Sequence, residues 1–230
     1  MTIFNVLKGG ISIGLKNFLS LVVACILYLL TIWIPYYNVG TSIAMVTLPA
    51  ALSRGEVISP TEIFNPKYRK NMGNFFLLIV LITLGISIGY VFMIIPGIIL
   101  TYSWLLAILL LVDKGLNPMQ ALNESNSRTY GHKLTIFFSF LVLVIGYLVI
   151  SLFISLISSS CIYELIKYWR GDYGLYYEFN YFSFLFYYTP WWTAVLQVGF
   201  MLLYYPIQLG VMAEIYRQLG SDKPDVSNEG

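Results

Sequence analysis

Residues 75–112 read FFLLIVLITLGISIGYVFMIIPGIILTYSWLLAILLLV, and this stretch decides the fold. It lies inside a longer run, 71–112, that contains no Asp, Glu, Lys, Arg or His. About 20 apolar residues carry a helix across the hydrocarbon core of a bilayer, at roughly 1.5 Å of rise each. The run is about twice that length and is interrupted by Ile95-Pro96-Gly97. Pro disfavours helix in the residue before it and Gly permits unusual backbone, so the run reads as two membrane helices joined by a tight turn.

The pattern recurs outward from there. Residues 17–53, 134–163 and 179–213 are also free of ionisable side chains. The chain is 58% hydrophobic and 10% charged, with mean hydropathy +0.76. Soluble domains average about 25% charged residues, so the sequence predicts an all-α integral membrane protein. Six spans are expected, at 18–34, 36–53, 75–94, 97–112, 134–157 and 191–213, forming three hairpins within one membrane domain, 1–219. Residues 220–230 read as a disordered tail. Lys8 and Lys16 precede the first apolar run without a small-residue cleavage site after it, so that run reads as a retained anchor.

Lys and Arg orient the chain. With an even number of spans, both termini share a side with 54–74 and 113–133, and that side holds 11 of the 13 basic residues. Only Lys167 and Arg170 fall opposite. Both termini are therefore expected in the cytoplasm.

The segments between spans have structure of their own. Ile3, Phe4, Leu7, Ile11, Leu15 and Phe18 share a helical face opposite Lys8, Ser12 and Lys16, an interfacial amphipathic helix weakened by Gly9 and Gly10. Ser59-Pro60-Thr61-Glu62 and Asn117-Pro118-Met119-Gln120 read as helix starts, Glu124 and Arg128 as an i,i+4 pair, and Gly131 as a stop. A surface helix followed by a hairpin, three times over, is either a weak internal repeat or what any chain does on entering a membrane. Pro96, Gly97 and Pro206 are candidate hinges or fixed kinks. Trp169, Tyr181, Tyr187, Trp191 and Trp192 belong to an aromatic segment expected to lie in the outer interface.

The chemistry is sparse. No ionisable residue falls clearly inside a span, which argues against an ion-coupled carrier with a carboxylate relay. His132 is the only histidine, the two cysteines lie at different depths, and no metal-binding spacing or phosphate loop occurs, so no cofactor is expected. A net charge of +2 argues against nucleic acid. Lys67, Arg69, Lys70, Arg128, His132 and Lys133 are the candidate contacts with anionic inner-leaflet lipid or with a protein partner. The function read from this is a non-catalytic membrane module organising lipid or a partner. The alternative is a homo-oligomeric channel or passive transporter, and an enzyme is not expected.

The run Pro96-Gly97-Ile98-Ile99-Leu100, with Leu111-Val112-Asp113-Lys114-Gly115, Ala121-Leu122, Ser125, Arg128, Gly131-His132 and the closing Ile215-Tyr216-Arg217-Gln218-Leu219, resembles a bacterial six-span membrane family of unassigned activity. That family is related to the membrane domain of some glycerophosphodiester phosphodiesterases. The resemblance implies six spans, and it alone implies that the membrane is a bacterial inner membrane. It does not carry over the phosphodiesterase activity, because only about ten residues follow Leu219 here.

Overall fold

The computed structural model describes residues 1–70, 72–158, 169–170 and 191–220. They form nine α-helices and two 3-10 turns, with no strand among the described residues. The helices are α1 (Ile3–Lys16), α2 (Phe18–Thr31), α3 (Pro35–Ser53), α4 (Met72–Phe92), α5 (Ile94–Ser103), α6 (Ala107–Lys114), α7 (Pro118–Thr129), α8 (Lys133–Ser158) and α9 (Trp191–Leu219). The turns are Pro60–Phe64 and Pro66–Arg69. The chain divides into two units, residues 1–140 with 205–230, and residues 141–204.

Among the described residues, four helical stretches are long and apolar enough to cross a membrane: Met72–Phe92, Ile94–Lys114, Lys133–Ser155 and Trp192–Leu219. The pair α1 and α2, bent by 74°, makes a fifth if counted as one span. Most of the side chains on α4 and on Lys133–Ser155 are not enclosed by the protein. Val91, at 85% exposure, and Leu134, at 73%, illustrate this. Such surfaces are stable against lipid chains and unstable against water. The helix α3 is not in this set. It carries Asn38, Thr41, Ser42, Thr47 and Ser53, and its second half is the most enclosed helix surface in the first unit.

In the first unit α2 and α3 form an antiparallel hairpin, tied by Tyr28 with Ser42 and Thr31 with Thr41, each hydroxyl pair 3.3 Å apart. Between α4 and α5 the chain reverses at Met93, before the expected Ile95-Pro96 break. Pro96 instead falls in the first turn of α5, where its missing N–H has no helical acceptor to lose. Gly97 is buried, and a Cβ there would lie 2.5 Å from the Tyr90 ring, so its small size lets the two helices close.

The α1–α9 contact explains the glycines that weaken α1. The residues of α1 buried in protein are Val6, Gly10 and Gly14, one stripe of the helix. A Cβ on Gly10 would stand 2.5 Å from the Val211 Cα, and one on Gly210 would stand 2.2 Å from the Gly10 carbonyl oxygen. The two backbones therefore touch, which small residues at i and i+4 permit. The helix has three faces: Val6, Gly10 and Gly14 against protein, Phe4, Ile11 and Leu15 exposed and apolar, and Lys8, Ser12 and Lys16 exposed and polar.

The expected surface helix after Ser59 is replaced by the two 3-10 turns, and Ser59 makes no side-chain cap. Glu62 accepts from Lys67, Tyr68 and Asn65 instead of reaching back to a helix start. The repeat is thus not regular, because its second surface helix is absent. Around α7 the expected capping box forms, with Gln120 N–H donating to Asn117 Oδ1 at 2.8 Å and Asn117 N–H to Gln120 Oε1 at 3.3 Å. After Tyr130 the chain turns at Gly131, φ +78°, which stops the helix.

In the second unit Gln197 of α9 donates to the Ser151 carbonyl at 2.9 Å and to Ser155 Oγ at 3.1 Å. Ser151 Oγ donates back to Gln197 Oε1 at 3.0 Å. Tyr204 donates to the Leu143 carbonyl and packs beside Tyr147 and Phe200.

Candidate functional site

The polar side chains of the first unit converge where α3, α6, α7 and α9 end. Asp113 is the centre. Arg54, which caps α3, donates from Nη1 to Asp113 Oδ1 at 2.5 Å and from Nε to Glu56 at 2.6 Å. The buried Tyr216 of α9 donates its hydroxyl to Asp113 Oδ2 at 2.8 Å. Partial burial of Arg54 works against its charge, but the hydrogen bonds to Glu56 and Asp113 outweigh it and hold the proton more tightly than usual.

A second arm comes from α7. Arg128 Nε donates to Glu124 at 2.6 Å, and Arg128 Nη1 donates to the carbonyls of Leu219 at 3.1 Å and Gly220 at 2.7 Å. The last carbonyls of a helix have no partner within it, so Arg128 serves as the cap of α9. One turn back along α9, Glu214 is almost fully enclosed and accepts from Arg217 at 2.7 and 2.8 Å and from Gln218 at 2.6 Å.

Ser125 joins α7 to the membrane helices. The stretch between α5 and α6 is not helical at Trp104–Leu106, where Ala107 N–H turns to the Trp104 carbonyl at 3.1 Å. That leaves the Ser103 carbonyl and the Leu106 N–H without helical partners. The fully buried Ser125 satisfies both, donating to Ser103 O at 2.7 Å and accepting from Leu106 N–H at 3.1 Å. Thr129 adds a longer bond to the same carbonyl at 3.3 Å. Neither Pro nor Gly marks this break, so nothing in the sequence signals it.

The six basic residues singled out in the sequence fall into two groups. Lys67 pairs with Glu62 and lies 4.8 Å over the Tyr68 ring, Arg69 lies 5.7 Å from the centre of the Tyr37 ring, and Lys70 is exposed. Arg128 is engaged as above, Lys133 Nζ donates to Asn126 at 3.1 Å, and His132 is half-buried at the turn into α8. Of these, Arg69 lies against α3, Lys133 is tied to α7, and Arg128 joins α7 to the end of α9. Of the aromatic segment, Trp169 and Trp192 are exposed. Tyr181 and Tyr187 lie outside the described residues, as does the side chain of Trp191. Pro206 lies inside α9, and a Cβ on Gly14 would meet its carbonyl oxygen at 2.6 Å.

Among the described residues no three His, Cys, Asp or Glu side chains are grouped to hold a metal. A cavity of about 10 Å³ lies between Tyr37, Gly40, Thr41, Ile63, Asn65 and Arg69. It has room for one water. Compared with models of known protein families, with curated proteins and with solved structures, the chain matches none.

Proposed function

We propose that this protein is a non-catalytic multi-pass membrane module that organises lipid or a protein partner, with both termini in the cytoplasm of a bacterial cell. The observation that carries the reading is the division of side chains. The long helices turn Leu, Ile, Val and Phe outward, while the carboxylates of Asp113 and Glu214 are each occupied by several Arg, Tyr or Gln donors. A carboxylate held by several fixed donors is spent on structure, whereas catalysis needs a group that reaches substrate. The residues behind the family resemblance, Asp113, Ser125, Arg128 and Tyr216, belong to this network. Their shared role in joining helix ends supports reading that motif as an architectural one.

The test is native mass spectrometry of protein released from lipid nanodiscs. A monomer or dimer retaining a defined lipid or protein is the expected result. A closed ring of fixed number that passes ions or small solutes after reconstitution would replace this reading with that of a channel.

A further inference from the structure

We infer that residues 1–70 cross the membrane nowhere. In this reading the α2–α3 hairpin is seated in a single leaflet, its exposed face covered by the acyl chains and anionic headgroups on the side that carries Arg54 and Asp113. The inference rests on the membrane reading above, specifically on α4 and the stretch Ile94–Lys114 each crossing the bilayer.

The argument is one of sides. Arg54 at the end of α3 touches Asp113 at the end of α6, so both lie on one side. Two crossings, α4 and then α5 with α6, separate Arg69 from Asp113, so Arg69 lies on that side too. Arg69 is seated on the first turns of α3. It lies over the Tyr37 ring, and a Cβ on Gly40 would stand 2.8 Å from the Arg69 Cγ. The start of α3 therefore shares a side with its end. Had α3 crossed, Arg54 and Asp113 would stand on opposite faces of the bilayer rather than 2.5 Å apart.

The same reasoning applies to α1 and α2. Gly9 lies against Glu214, and Tyr216, half a turn further along α9, donates to Asp113. The start of the chain is thus on the side of Asp113, as is Tyr37, which follows α2. No net crossing falls between them. Residues 54–70 support this by their path. Ile58 N–H donates to the Asn17 side chain at 3.2 Å, at the open end of the hairpin, and by Arg69 the chain has reached the other end of α3. That return covers about 25 Å at 1.5 Å per helical residue. Ile58, Ile63 and Tyr68 are buried along it, so the irregular backbone is enclosed in protein.

The occupant follows from the exposed surface. Leu19, Ile26 and Leu30 on α2 stand at i, i+7 and i+11 and form one apolar stripe. Trp33 extends it into the turn. Residues 1–70 hold six basic and two acidic side chains, and Lys8, Lys16, Lys67 and Lys70 are exposed. An apolar stripe with cations at both ends of its hairpin is complementary to acyl chains below anionic phosphates. The four remaining crossings keep 11 of the 13 basic residues on the cytoplasmic side, so the charge asymmetry is unchanged.

The experiment places a hydrophilic epitope between Ile34 and Pro35, a second between Met93 and Ile94, and a third after Gly230, each in the otherwise intact chain. Protease protection in inverted membrane vesicles reads the side of each. The expected result is that the first and third epitopes are cut and the second is protected. An epitope at Ile34 protected together with that at Met93 would overturn the inference while leaving the membrane reading intact. All three cut would instead show that α4 and α5 do not cross, and the membrane reading would fail with it.

Lipid contact is read separately, from a nitroxide on L30C with Cys25 and Cys161 replaced by Ala. Collisions with oxygen exceeding those with a water-soluble nickel complex are expected. The reverse ratio would place the hairpin in water and refute the seating in lipid.

Discussion

Replacing Gly210 with Ala should destabilise this protein, although Ala is the better helix former by about 1 kcal/mol. The new Cβ would stand 2.2 Å from the Gly10 carbonyl oxygen and 2.6 Å from the Gly14 nitrogen. Both are backbone atoms, which cannot swing aside as a side chain can. Ordinary contact is reached at about 3.5 Å, so α1 and α9 must part by about 1 Å. Overpacking of this kind costs typically 1–3 kcal/mol, and backbone opposition puts this site at the upper end. Subtracting the helix gain leaves a net loss of about 2 kcal/mol. For a chain of this size that lowers the unfolding midpoint by about 4–8 °C. The assay is thermal unfolding in detergent or nanodiscs, followed by the fraction remaining monodisperse. Gly146 and Gly199 are the controls, because a Cβ at either meets nothing within 4 Å. Their Ala variants should match the parent or exceed it. A Gly210→Ala protein as stable as the parent would refute the close crossing of α1 and α9.

Two further outcomes follow from the polar network of the first unit and one from the second unit. Ser125→Val removes the hydroxyl that serves both Ser103 O and Leu106 N–H and should lower stability by about 2–4 kcal/mol, at roughly 1–2 per group left unpaired; Ser125→Thr should recover part of it in the same thermal assay. Arg128→Gln withdraws the cap from the Leu219 and Gly220 carbonyls, and hydrogen exchange of residues 216–220 should speed up while that of α4 stays unchanged. Gln197→Leu breaks three hydrogen bonds in the second unit. At about 0.6 kcal/mol each between membrane helices, the loss should be about 2 kcal/mol, measured by unfolding in detergent.

The long apolar helices α4, α8 and α9 and the stretch Ile94–Lys114 are legible because lipid demands long apolar runs, whereas the helix expected after Ser59 is replaced by 3-10 turns. The capping box of α7, its Glu124–Arg128 pair and the stop at Gly131 were equally legible, since each depends on residues only three or four apart. The candidate site was legible only in part. From the sequence Arg128 reads as the partner of Glu124 and a surface contact, yet its further partners Leu219 and Gly220 lie 91 and 92 residues away. Asp113 and Arg54 stand 59 residues apart, and neither carries a local signal that it will meet the other. The break at Trp104–Leu106 carries no local signal for the same reason, because it is stabilised by Ser125 from another helix rather than by Pro or Gly.

The sequence by itself determined that the chain is helical and that it carries long apolar faces to bury outside its own core. Hydropathy and charge act residue by residue, so composition along the chain is sufficient for both. Only the tertiary structure decided which apolar helix is enclosed by protein and which is left for lipid. An 18-residue stretch of low charge looks alike in either setting. The difference lies in contacts such as Arg69 with Tyr37 and Arg54 with Asp113, which join residues 32 and 59 positions apart and leave no local mark.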